Sequence, residues 1–180
     1  MPNRTGEAIR RKLFSCFWKQ VPEFHPKDRY VFLPLQLSED TNLVLFSQID
    51  NFDAMEHAAR RAQELGLRLV VKPHPAERDA AFLSQVRAIC EENGYLLTKW
   101  NTIDLLLNSE EVFVINSSVG LQAIALSKKL TILGNAFYRD FSERDVAIYA
   151  KKYLLDFDPF GSQPASTDVI NRIVSLLDVR

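Results

Sequence analysis

The sequence has little cysteine. Cys16 and Cys90 are the only two in 180 residues, far apart and each inside a helical pattern. That excludes a disulfide framework and a cysteine-based metal centre, and it fits a reducing compartment. Both cysteines read as small buried hydrophobes. No apolar run approaches the roughly 18 residues of a membrane span. The run Leu13-Phe14-Ser15-Cys16-Phe17-Trp18, behind Arg10, Arg11 and Lys12, is too short for a signal peptide and lacks a small-residue cleavage site. There is no excess of either charge: 22 Lys plus Arg stand against 23 Asp plus Glu, a net charge of -1. A general nucleic-acid binder would be strongly basic, so that class is excluded, although a local basic pocket for one anion is not. A Gly-rich dinucleotide fingerprint and a P-loop are both missing, as are internal repeats and low-complexity tracts.

What is present is an ordinary soluble composition, 47% hydrophobic and 25% charged, which argues against disorder. The length suits one domain with its own core. Residues 5–19 pattern as an amphipathic helix carrying Ile9, Leu13, Phe14, Phe17 and Trp18, and residues 21–28, with Pro22 and Pro26, as a linker. From there short apolar runs alternate with helical patterns. Strands are expected at 30–35, 68–72, 95–97, 112–115 and 130–133. Helices are expected at 51–65 (capped by Asn51, stopped by Gly66), 76–93, 102–108, from 119 to about 127, 142–153 and 167–177. This alternation predicts an α/β domain, a Rossmann-like parallel sheet flanked by helices. The division expected is an N-terminal helix and linker over 1–28 and one domain over 29–180.

Ligands of such sheets bind beyond the carboxyl ends of the strands. Four residue groups follow strands and should share that edge: 36–40, 72–75, 116–118 and 134–138. In Lys72-Pro73-His74-Pro75 the prolines hold the backbone extended and aim the imidazole, while the lysine adds charge, a combination suited to a phosphate. It reads equally as a strand-terminal turn. Asn116-Ser117-Ser118-Val119-Gly120 places hydroxyls and backbone N–H groups at a helix start, where anions bind and where ordinary capping also occurs. Gln36-Leu37-Ser38-Glu39-Asp40 offers carboxylates that could serve as nucleophile or base beside a sugar carbon, or simply as a cap in Asp40. Gly134-Asn135-Ala136-Phe137-Tyr138 could admit a ligand at Gly134 and pack a base or sugar on Phe137 or Tyr138. His25 and His57 have no second ligand at i+3 or i+4, so no metal role is assigned.

The residues Val70 to Pro75, Asn116 to Ala123 and Gly134 to Tyr138, together with Pro34-Leu35-Gln36 and Asp40, resemble the capsular polysaccharide biosynthesis family, which includes bacterial β-Kdo glycosyltransferases that use CMP-Kdo. The ordered His-Pro and Ser-Ser motifs are also similar to those of bacterial sialyltransferases. The resemblance implies one nucleotide-binding half of a GT-B-like enzyme. It implies a CMP-sugar as donor, with Kdo as the sugar, and a glycan or glycolipid acceptor in capsule or lipopolysaccharide assembly. Asp40 would be the nucleophile of a retaining double displacement, and Gln36 would help to place the sugar. The CMP phosphate would be held by Lys72, His74, Pro75, Asn116, Ser117 and Ser118, without metal or other cofactor. About 29 residues precede the first strand, too few for an acceptor half. A missing N-terminal half or a partner chain is therefore expected, the alternative being a binding or assembly module without turnover. The implied location is the cytoplasm, at the inner face of the inner membrane.

Overall fold

The structure, a computed structural model, describes residues 25–154, 164 and 166–177. The expected helix over 5–19, Cys16, the first half of the linker and most of residues 156–166 lie outside the described residues.

Strand β1, Tyr30–Pro34, is buried along its whole length. Its side chains alternate between two apolar clusters: Val31 and Leu33 face one, Tyr30 and Phe32 the other. A strand buried on both faces must be central and covered by helices on both sides. Full burial of a side chain such as Phe32 or Leu33 contributes about 1.5–3 kcal/mol. Strands β2 (Arg68–Lys72), β3 (Leu96–Leu97), β4 (Glu111–Val114) and β5 (Lys129–Ile132) complete a parallel sheet in the order β3-β2-β1-β4-β5. In register, Tyr30 faces Arg68 and Pro34 faces Lys72. Pro34, which has no N–H to give, closes the strand and so costs little in the ladder.

Helices α1 (Thr41–Phe46), α2 (Asn51–Leu65) and α3 (Ala80–Asn93) contribute to the first cluster, and α4 (Thr102–Asn108) and α5 (Val119–Ala125) to the second. Helices α6 (Glu143–Tyr153) and α7 (Thr167–Leu177) follow. Gly66 and Gly94, at φ 65° and 70°, end α2 and α3 in left-handed turns. Cys90 is a free thiol, fully buried as expected, and burial pushes its pKa up to about 12. Among the described residues no helix is long and apolar enough to cross a membrane.

The α/β parallel architecture is as the alternation predicts. Helix α1 is capped by Asp40, the alternative the sequence offers for that carboxylate. Two local expectations are corrected. Asn51 does not cap α2; Asp50 does, in a capping box with Asp53, because the Asn51 amide is committed elsewhere. The third helix starts at Ala80 rather than 76, since Asp79 caps it and the preceding residues form a turn.

Glu111 opens β4 from inside the protein, at 3% exposure. Its carboxylate accepts from Arg61 Nε, Lys129 Nζ and Thr131 Oγ1, each at 2.9 Å. Burial pushes its pKa up, but these hydrogen bonds outweigh it and leave the group below its ordinary value. A carboxylate depressed by folding contributes stability above its unfolded pKa of about 4.3, and that stability is lost as pH falls through the folded value. Glu111→Gln is therefore expected to cost about 1–3 kcal/mol at neutral pH. In urea titrations the difference from the unsubstituted protein should be constant above about pH 5 and shrink at lower pH.

Candidate functional site

Strands β1 and β4 are neighbours, but the chain leaves β1 toward β2 and leaves β4 toward β5. This is the switch point of a doubly wound sheet, and the crevice beyond the carboxyl ends of these two strands is where such sheets take ligands. Because all strands are parallel, the four residue groups singled out from the sequence do share this rim.

The floor of the crevice is a buried amide clasp. Gln36, 4% exposed, donates from Nε2 to Asn116 Oδ1 at 2.8 Å and accepts at Oε1 from Asn116 N–H at 3.0 Å. Its backbone is held by the Asn51 side chain, which accepts from Gln36 N–H and donates to Gln36 O, both at 3.0 Å. Asn116 Nδ2 donates to Asn42 O at 2.9 Å, and Asn135 N–H donates to Phe46 O at 3.0 Å. Helix α1 thus lies across the ends of β4 and β5, with Val44, Leu45 and Phe46 turned to solvent.

On the β2 side, His74 Nδ1 accepts from Ala76 N–H at 3.1 Å. An imidazole that accepts at Nδ1 carries its proton on Nε2 when neutral, so a donor is left for a ligand. Pro75 is exposed beside it. The buried carboxylate of Glu77, 3% exposed, accepts from Ser38 N–H at 2.7 Å, Arg78 N–H at 2.7 Å and Asp79 N–H at 2.8 Å. It pins the loop after β1 to the turn after His74. Lys72 is 7% exposed and donates to Thr102 Oγ1 at 2.6 Å, and burial lowers its pKa. Among the described residues no carboxylate pairs with it.

On the β4 side, Ser117 Oγ accepts from Val119 N–H at 3.3 Å, while Ser118 is exposed and makes no side-chain cap. The buried Tyr138 hydroxyl donates to Ser117 O, and burial raises its pKa to about 12. Gly120 makes this approach feasible: a Cβ there would sit 2.5 Å from the Tyr138 ring. A Cβ on Gly134 would meet Ile115 Cγ2 at 2.7 Å. Phe137, next to Tyr138, is 64% exposed.

Strands β2 and β4 flank β1, so the strand ends that lead into the His74 and Ser117 loops stand roughly 10 Å apart, two strand spacings. Among the described residues no hydrogen bond joins them directly; the Gln36–Asp40 loop lies between and is bonded to both sides. Asp40 caps α1, accepting from Asn42 N–H at 2.9 Å. Glu39 is exposed. Among the described residues no three His, Cys, Asp or Glu side chains gather as a metal site would require. Sequence reasoning overlooked Glu77 and Thr102, and it took Asn51 for a cap. A charged residue two positions after a His-Pro pair looks like solvated loop, and no local pattern marks it as buried.

A family model described as "Capsule polysaccharide biosynthesis protein" matches residues 17–141, which include all four groups on the rim. The chain belongs to this family. The capsule polysaccharide biosynthesis chain is also similar in fold to two solved structures from Thermosulfurimonas dismutans. One is titled KpsC, beta Kdo 2,7 transferase, with TM-score 0.47 and 15% identity, over 78% of this chain and 46% of that one. The other is titled KpsC, beta Kdo 2,4 transferase, with TM-score 0.49 and 17% identity, over 79% of this chain and 50% of that one. The chain spans about half the length of these structures. No curated protein matches it.

Three substitutions test the framework of the site. Glu77→Ala leaves three backbone N–H groups without their acceptor and should lower stability by about 2–4 kcal/mol in denaturant titration. Gly120→Ala forces Tyr138 off Ser117 and should cost about 1–3 kcal/mol. Tyr138→Leu, which removes the obstructing ring, should reduce the cost of adding the Gly120 methyl in a double-mutant cycle.

Proposed function

We propose that this chain is the donor-binding domain of a glycosyltransferase that transfers Kdo from a CMP-activated donor to a glycan or glycolipid acceptor in capsule or lipopolysaccharide assembly. The observation that supports this reading best is the crevice itself. A member of a capsule biosynthesis family carries, at the switch point of its sheet, an imidazole donor on one side, serine hydroxyls on the other and a carboxylate loop clamped between them. In this reading His74 Nε2–H and the hydroxyls of Ser117 and Ser118 bind the CMP phosphate. Lys72 raises the local positive potential, and Pro75 and Asn116 shape the two loops. Gln36 acts as a positioning residue, since Asn116 engages both ends of its amide.

The Asp40 carboxylate attacks the anomeric carbon. The bond from that carbon to the phosphate oxygen breaks, and its electron pair leaves with CMP, whose charge is met by His74, Lys72 and the serine hydroxyls. The acceptor hydroxyl oxygen then attacks the same carbon, the bond to Asp40 breaks with its electron pair returning to the carboxylate, and the hydroxyl proton passes to water; two inversions retain the configuration. The acceptor surface belongs to a second lobe or a partner chain, and the work is done at the cytoplasmic face of the inner membrane.

Calorimetry with CMP tests the binding half of this reading. Micromolar affinity is expected, weakened by at least about tenfold in His74→Ala, the loss of one charge-assisted contact. Failure to bind CMP, UMP or any CMP-sugar would overturn it. In a sugar-transfer assay that includes the acceptor-binding partner, Asp40→Asn should retain CMP binding and lose turnover; persistent turnover removes Asp40 as nucleophile. CMP binding without transfer under any pairing would favour a binding module.

A further inference from the structure

Phe137 is the most exposed aromatic side chain among the described residues with large apolar surface in solvent, at 64%, so core packing does not explain it. Nor is it loosely held. Its ring lies 5.3 Å from Tyr138 at 83°, 5.8 Å from Phe141 at 85° and 5.3 Å from Tyr149 at 45°. Three aromatic neighbours fix its plane while most of its surface stays open. The loop that bears it is tied down on the β4 side of the crevice: Asn135 N–H bonds Phe46 O, Tyr138 bonds Ser117 O, and Arg139 bonds Gly134 O. An aromatic ring fixed beforehand, beside the Ser117 corner, loses little entropy when a flat heterocycle settles on it.

Resting on the function proposed above, we propose that the Phe137 ring is the surface on which the pyrimidine of the donor nucleotide stacks. Base stacking is tolerant of base identity, so this contact supplies affinity for nucleotides in general and leaves the choice of cytosine to other groups.

The test is calorimetry with CMP and, separately, ribose 5-phosphate, which lacks the base. Phe137→Ala should weaken CMP roughly tenfold or more and leave ribose 5-phosphate unchanged, while Phe137→Trp should keep CMP affinity. If Phe137→Ala binds CMP within about twofold of the unsubstituted protein, or loses ribose 5-phosphate equally, stacking is overturned and the donor reading stands. If the unsubstituted protein binds no CMP, the donor reading itself fails and stacking falls with it.

Discussion

The Gln36 amide joins the two halves of the sheet. It leaves the end of β1, a strand buried along its whole length on both faces, and uses its oxygen and its nitrogen on Asn116 at the end of β4. A buried primary amide with both ends unpaired would cost several kcal/mol. Here the same group is satisfied, and its satisfaction holds two loops in one relative position. Asn51 does the same for the Gln36 backbone from the start of α2. The place where a doubly wound sheet would otherwise open as a bare crevice is therefore floored by neutral hydrogen bonds. Charged and hydroxyl groups stand along its rim.

The arrangement separates holding from binding. Glu77 is ionisable, yet its buried carboxylate is taken up by three backbone N–H groups. Tyr138 is likewise committed to the Ser117 carbonyl. Among the described residues of the rim, spare donors remain on His74 at Nε2, on the Ser117 and Ser118 hydroxyls and on the Lys72 ammonium, which gives one bond there, to Thr102. A lysine removed from water without a carboxylate is electrostatically uncomfortable, and burial lowers its pKa. An anion near it would relieve that cost. The anchors are buried; of the free donors His74 and Ser118 reach solvent, while Lys72 stays buried.

How much of this was legible depended on the range of the interaction. The strand Arg68–Lys72 and the helices Thr102–Asn108 and Thr167–Leu177 follow from local apolar spacing, and they appear where that spacing puts them. Capping was less legible. Asp50 and Asn51 are adjacent, and either side chain can cap; the choice fell to Asp50 because Asn51 is needed 15 residues earlier, at Gln36. Glu111 and Glu77 were hidden for a similar reason. A carboxylate reads as solvent-facing unless its partners are known, and Lys129, Arg61 and Ser38 are brought to them only by the fold.

The sequence by itself determined the parallel α/β architecture, because buried runs alternating with helical periods have few other ways to cover both faces of a sheet. It also determined which loops share an edge, since parallel strands send all their carboxyl ends the same way. Only the tertiary structure decided the strand order, the laying of α1 over β4 and β5, and the division of polar residues between anchors and free donors. Those outcomes depend on contacts between residues 39 to 80 positions apart, as in the Ser38–Glu77 and Gln36–Asn116 bonds. No local pattern along the chain encodes which distant partner a buried polar group will find.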